Sequence, residues 1–272
     1  MVAPEAAPVD PKNHIASVEK AVRLLELFDD ETPQLTLAEM VRGGGYTRTT
    51  THRLVTTLER LGWLARSGEH YQLTLRVFRL AAMAVSPLHL REESRPLMSE
   101  LAARHGENVY LLVPDGPRAV CVECIKGRSP VQIMAMDVGK SLPLHVGGGP
   151  LALLAEREAE LLPAVLENLP ATTPTGQPQT QAQLRAKLRA ARDSGYSRSI
   201  EDVTVSVGAF GAPIFDAEGL AVAAISVGGL VQALLPKEPE LAQSLRDTAS
   251  KISAKLGHQA LRPRKAGVAH EF

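Results

Sequence analysis

Residues 36–62 read TLAEMVRGGGYTRTTTHRLVTTLERLG: a short helix-forming run, a glycine turn and a longer helical run. Thr36 followed by Glu39 is a capping box, each side chain accepting from the other's backbone N–H at a helix start. Thr47 is placed to cap a second helix, Arg48 to about Leu61, which Gly62 ends. At 100° per residue, Leu54, Leu58 and Leu61 share one side and form its expected buried stripe. The opposite side carries Thr49, His52, Thr56 and Arg60, flanked by Arg48 and Arg53. A short helix, a turn and a longer helix with an outer face of Thr, His and Arg spell a helix-turn-helix. Upstream, Ser17 is expected to cap a helix bearing Val18, Ala21, Val22, Leu25 and Phe28, ended by Asp29-Asp30-Glu31 and Pro33. Downstream, Trp63–Arg66 and His70–Leu73, around the turn Ser67-Gly68-Glu69, read as a two-stranded wing.

The charge distribution agrees. The 272-residue chain carries 30 Lys+Arg against 30 Asp+Glu. From Arg42 to Arg79, however, seven arginines (42, 48, 53, 60, 66, 76, 79) face only Glu59 and Glu69, so 7 − 2 = +5. A local surplus of this kind is the electrostatic footprint of a phosphate-contacting surface. Arg supplies forked donors for guanine edges or phosphates, Thr short hydroxyls and a methyl, and a helix N-terminus free N–H groups. The candidate DNA contacts are Arg48, Thr49, His52, Arg53, Thr56 and Arg60, with Arg66 in the wing. The alternative is a three-helix module that docks a partner protein.

Length favours two domains over one core. No run approaches the ~18 apolar residues of a membrane span. The opening MVAPEAAPVDPK reads as a loose tail and not a signal peptide. Two cysteines build no disulfide framework, and a cytoplasmic protein is expected. After the wing, Leu75, Phe78, Ala82 and Val85 space out an apolar helix closed by Pro87, and Leu88–His105 form another, ended at Gly106. The period then changes to strands: Asn108–Val113, Ala119–Ile125, Val131–Met136, Ser197–Asp202, Val207–Phe215 and Ala221–Gly228. Helices are expected at Pro150–Glu156, Glu158–Glu167 and Gln181–Ser194, and a final one carries Leu241, Leu245, Ala249, Ile252 and Leu256. Residues 168–180 read as an exposed loop. This order indicates an α+β domain, one antiparallel sheet with helices against it.

Cys121 and Cys124 spell C-x-x-C, but residues three apart in a strand face opposite sides and no second pair follows. Buried thiols are the expectation, with no metal. His145 is expected to be a structural residue. Gly147-Gly148-Gly149-Pro150 bares a helix start that could hold a carboxylate; a plain strand-to-helix connection is the other reading. No G-x-S-x-G, H-E-x-x-H or G-x-x-x-x-G-K-[ST] occurs, so neither catalysis nor a cofactor is expected.

Thr36–Met40, Thr49–Leu54 and Leu58–Leu64 resemble the winged helix-turn-helix of IclR-type transcriptional regulators, and Ser17–Ala21 is similar too. The triple glycine with Tyr46 departs from the family's usual single glycine and apolar residue. Leu142–His145, Gly195-Tyr196-Ser197, Ala212–Asp216 and Ala223–Val227 are similar to that family's GAF-like effector-binding domain. The resemblance implies a tail at 1–13, a DNA-binding domain at 14–74, a linker helix at 75–90, an effector-binding domain at 91–257 and a second tail at 258–272. It implies double-stranded operator DNA and a small-molecule effector as partners, in a homodimer or dimer of dimers. It also carries over Gly148, Gly149, Ser199, Ala209, Ser226 and Gly228 as pocket-lining positions. Ser199, Ala209 and Gly228 stand where relatives can have an acid, a cysteine and a serine. A roomier, less polar pocket is therefore expected, for a larger or partly apolar effector.

Overall fold

The computed structural model describes residues 15–29, 32–85 (81–85 as backbone), 90–129 and 136–259. Residues 1–14, Asp30, Glu31, Pro87, Leu88, the run 131–135 and residues 260–272 lie outside these residues; His258, assigned to the second tail, stacks on Phe215 instead. The chain forms two compact units, within residues 1–87 and 88–272.

The first unit contains α1 (Ala16–Leu25), β1 (Gln34–Thr36), α2 (Leu37–Gly44), α3 (Arg48–Arg60), β2 (Leu64–Ser67), β3 (His70–Leu73) and α4 (Leu75–Val85). The capping box forms: Glu39 N–H donates to Thr36 Oγ1 (3.3 Å) and Thr36 N–H to Glu39 Oε2 (2.8 Å). Thr47 Oγ1 caps α3 by accepting from Thr50 N–H (3.3 Å). Ser17 caps nothing. Helix α1 starts earlier, from an extended Ile15 whose carbonyl accepts the Val18 and Glu19 N–H groups, leaving Ser17 inside the first turn.

The buried stripe of α3 is Thr51, Val55 and Leu58, with Leu61 exposed. The helix is rotated from the leucine stripe because Thr51 can enter the core: its hydroxyl donates to the Thr47 carbonyl (3.2 Å). Val55 and Leu58 meet Leu24, Leu35, Met40, Leu64 and Tyr71 in one core. The wing is three-stranded, since β1 pairs antiparallel with β3, Leu35 opposite Tyr71. Three residues between two helices were too short to register as a strand by alternation. The glycine turn has separate causes. Gly45 is left-handed (φ +69°), while a Cβ on Gly44 would lie 2.8 Å from Leu24 Cδ2. Ile15 just before α1, Val18 and Val22 on α1, and Leu75, Phe78 and Leu80 on α4 are exposed apolar residues.

The second unit is a six-stranded antiparallel sheet in the order β6-β5-β4-β9-β8-β7. Its strands are β4 (Asn108–Asp115), β5 (Arg118–Ile125), β6 (Ser141–Pro143), β7 (Ser197–Ile200), β8 (Val207–Phe215) and β9 (Ala221–Leu230). Helices α5 (Leu90–His105) and α10 (Glu238–Lys255) pack on the sheet and on each other. Helices α6 (Gly148–Glu156), α7 (Glu158–Glu167) and α8 (Gln181–Ser194) form a second group, with α6 against the sheet and both neighbours against α6. A short α9 (Val231–Leu234) and a 3₁₀ turn precede α10. Every residue of α6 from Gly148 to Ala155 is buried, as expected of a helix apolar all round.

Two expectations change here and a third is refined. Met136 is not in a strand; the edge strand is β6. A β-bulge between Leu111 and Leu112 pairs Tyr110 with Cys124 and Leu112 with Cys121. The two cysteines therefore face the same side despite being three apart, because the bulge absorbs one residue. Burial pushes the Cys121 thiol up to about 12. Residues 168–180 are a largely exposed loop, as expected, but an anchored one: Thr173 and Gln179 are buried, and Thr172 bridges Pro178.

Candidate nucleic-acid interface and ligand cavity

Helix α3 presents Arg48, Thr49, His52, Arg53, Thr56 and Arg60 to solvent together, and Arg66 is exposed in the wing. Among the described residues Arg48, Arg53 and Arg60 make no ion pair, so three guanidiniums stand unneutralised on one helix. Arg66 is held instead. Its Nε donates to the Gly68 carbonyl (2.9 Å), and its guanidinium lies 5.8 Å from the centre of the Tyr71 ring. Arg76, counted with the basic patch, caps α3, donating from Nη1 to the Leu61 carbonyl (2.9 Å). Nothing in its local sequence marked it for that role.

The second unit holds a cavity of about 530 Å³, its opening to solvent included. Gly148, Gly149, Ser199, Ala209, Ser226 and Gly228 all line it. The sheet explains the grouping. Ser199 pairs with Ala209 and Ala209 with Gly228, one row across β7, β8 and β9; Gly211, Ser226 and Tyr110 form the next. The start of α6 lies on these rows. A Cβ at Gly211 would sit 2.3 Å from the Gly148 carbonyl oxygen, and one at Gly149 2.5 Å from Leu112 Cδ1. These glycines serve helix–sheet contact, and the space of their missing side chains is filled by protein.

The same holds at Gly228, where a Cβ would meet the Tyr110 ring at 3.2 Å. Tyr110, absent from the residues carried over, occupies the room that the glycine leaves, so this position does not enlarge the cavity. Burial pushes its phenol up to about 12, and the neutral hydroxyl accepts from Asn108 Nδ2 (3.2 Å). Leu142, Met136, Val203 and Val207 complete a largely apolar wall.

One acid is present after all. Asp202, 1% exposed, lines the cavity, and its Oδ1 accepts from Ser199 Oγ. The carboxylate expected to be missing at 199 arrives from three residues on and is bonded to the serine there. Sequence position alone could not show this, because the chain leaves β7 at Ile200 and folds back. His145 is buried beside it, and burial lowers its affinity for a proton. No group of three or more His, Cys, Asp or Glu able to hold a metal occurs among the described residues.

Comparison with known proteins places this architecture. The IclR helix-turn-helix domain model matches residues 17–68, and that of the bacterial transcriptional regulator IclR C-terminal domain matches 82–254. The chain belongs to the IclR family of transcriptional regulators. This family member is 30% identical over 250 residues to the HTH-type transcriptional regulator KipR of Bacillus subtilis, covering 91% of this chain and 99% of that one. Its fold is similar to an IclR regulator from Silicibacter sp. TM1040 (TM-score 0.77, 26% identity, 91% and 98% of the two chains covered). It is also similar to an IclR homologue from Microbacterium hydrocarbonoxydans solved in complex with 4-hydroxybenzoate (TM-score 0.75, 26% identity, 88% and 98% covered). Among the described residues, no helix of this IclR-family chain is long and apolar enough to cross a membrane.

Proposed function

We propose that the chain regulates transcription by reading an operator with α3 and its wing, under control of a small molecule held in the second-unit cavity. Arg48, Thr49, His52, Arg53, Thr56 and Arg60 enter the major groove, and Arg66, fixed against Tyr71, contacts phosphate near the wing. The observation that carries this reading is the row of unneutralised guanidiniums on one exposed helix beside hydroxyls and a histidine. A solvated structural helix would gain by pairing at least some of those charges.

The domain limits at 14–74, 75–90 and 91–257 belong to this reading. So does residence in the cytoplasm, with the DNA. Reading heads of this kind act in pairs on half-sites about one helical turn apart or multiples of it, so the protein works as a homodimer or dimer of dimers. The exposed apolar residues of α1 and α4 support such pairing. The effector of this site is small and largely apolar, in keeping with the wall; an aromatic acid is bound by one structural neighbour.

The test is a titration against DNA upstream of the protein's own and adjacent genes, with nonspecific competitor. Arg53→Ala is expected to weaken operator binding roughly 5- to 150-fold at physiological salt, the value of one good base contact. Unchanged affinity removes Arg53 from the interface. Binding that ignores salt would instead favour a protein-docking module, because DNA affinity falls steeply as salt rises.

A further inference from the structure

Among the described residues three buried side-chain atoms of this unit, Ser94 Oγ, His105 Nε2 and Asp202 Oδ2, lack a hydrogen-bond partner, and the one on a cavity-lining residue belongs to Asp202. Its Oδ2 is buried and has no hydrogen-bond partner. The nearest cation, Lys187 Nζ, is 4.0 Å away on a side chain 41% exposed. The segment presenting this carboxylate is fixed from both sides. Glu201 holds a left-handed backbone (φ +54°), and its carbonyl accepts from Thr175 Oγ1 and from Gln177 Nε2 (2.9 Å). Ser206, also left-handed (φ +64°), donates its N–H to Glu201 Oε1 (2.7 Å). Two non-glycine residues at positive φ in one short connection are costly, and persist where the surroundings impose them.

The other polar side chains of the cavity sharpen the chemistry. The Ser199 hydroxyl hydrogen goes to Asp202 and that of Ser226 to the Phe210 carbonyl (2.9 Å). Both serines are left with only lone pairs to offer a ligand. Asp202, bonded to Ser199, lines the same largely apolar wall, with its Oδ2 buried behind it.

We propose that Asp202 sets effector specificity by requiring a hydrogen-bond donor, a hydroxyl or ammonium group, on an otherwise apolar ligand. This rests on the reading of the cavity as the effector site. A ligand lacking the donor leaves Oδ2 dehydrated and without a hydrogen bond, its ion pair with Lys187 at 4.0 Å aside, whereas one carrying it completes the carboxylate's bonding.

The test is calorimetric titration of the full-length protein with matched probes: benzoate against 4-hydroxybenzoate and 4-aminobenzoate, and hexanoate against 6-hydroxyhexanoate. Wild-type protein should bind the donor-bearing member of a pair roughly 10- to 100-fold tighter. Asp202→Asn keeps an acceptor for Ser199 but puts an amide N–H₂ in place of Oδ2, so it should cancel or invert that preference. Should Asp202→Asn fold poorly, the wild-type ratio decides alone. Probes that bind in the cavity without regard to the donor overturn the role of Asp202 and leave the effector site standing. If no probe binds, or if binding survives blocking the cavity with Leu142→Trp, the effector-site reading falls and the proposal with it.

Discussion

Thr51 shows how a polar residue becomes core. Fully buried, it satisfies its hydroxyl on the carbonyl of Thr47, which already accepts the Thr51 N–H (2.9 Å). Replacement by valine removes the donor without stranding the acceptor and keeps the shape. Thr51→Val should therefore leave the melting midpoint of the DNA-binding unit nearly unchanged, within about 1 kcal/mol, while Thr51→Ala should cost more by opening a cavity. A large loss in the valine variant would mean that the hydroxyl matters beyond its local bond. Such burial was not legible in the sequence, where the leucines at 54, 58 and 61 made the louder stripe. The caps at Thr36 and Thr47 were legible because capping depends on a few adjacent residues. Asp202 lay between these cases: its type was visible, but its return to Ser199 depends on a backbone turn that no short-range rule gives.

At the scale of elements, the decisive contact is α6 on β8. The Gly148 carbonyl and Gly211 approach so closely that one methyl would collide with backbone on the other side. Gly211→Ala should lower the stability of the second unit by several kcal/mol and abolish probe binding, because backbone cannot step aside as a side chain can. Differential scanning calorimetry measures it; a melting profile like that of the wild type would show that α6 can shift. Gln181–Ser194, Glu158–Glu167 and Val207–Phe215 were readable to the residue from periodicity, and the other long strands to within two residues at their ends. The bulge at Leu111–Leu112 was not, since strict alternation is the assumption it breaks. Nor was the packing of residues 168–180 onto Glu201, because a segment rich in Pro, Thr and Gln gives no sign of what it rests against.

For the whole molecule, acid stability follows from buried histidines. Burial lowers the pKa of His105 and His145 below the usual 6.5. The unfolded chain then binds more protons than the folded one as pH falls through that value, so their contribution to stability is present above 6.5 and lost below it. Burial raises Glu107 and Glu156, with the opposite sign: folding takes up protons there, and acidification relieves the cost. Urea unfolding from pH 7.5 to 5.5 should show a His105→Gln/His145→Gln variant losing less stability than the wild type across this range; parallel curves would refute the assignment. The gathering of arginines on one helix within a chain of neutral total charge was legible in their arrangement, and so was the division into two units. The glycine floor of the cavity also bears on how such proteins diverge. Where the helix and sheet touch, inherited substitutions meet immovable backbone, so that wall is closed to gradual change. New ligand preferences must arise at lining positions clear of the Gly148–Gly211 contact, such as Met136, Leu142, Ser199, Asp202, Val203 and Val207, and descendants of this chain should differ there while that contact stays as it is.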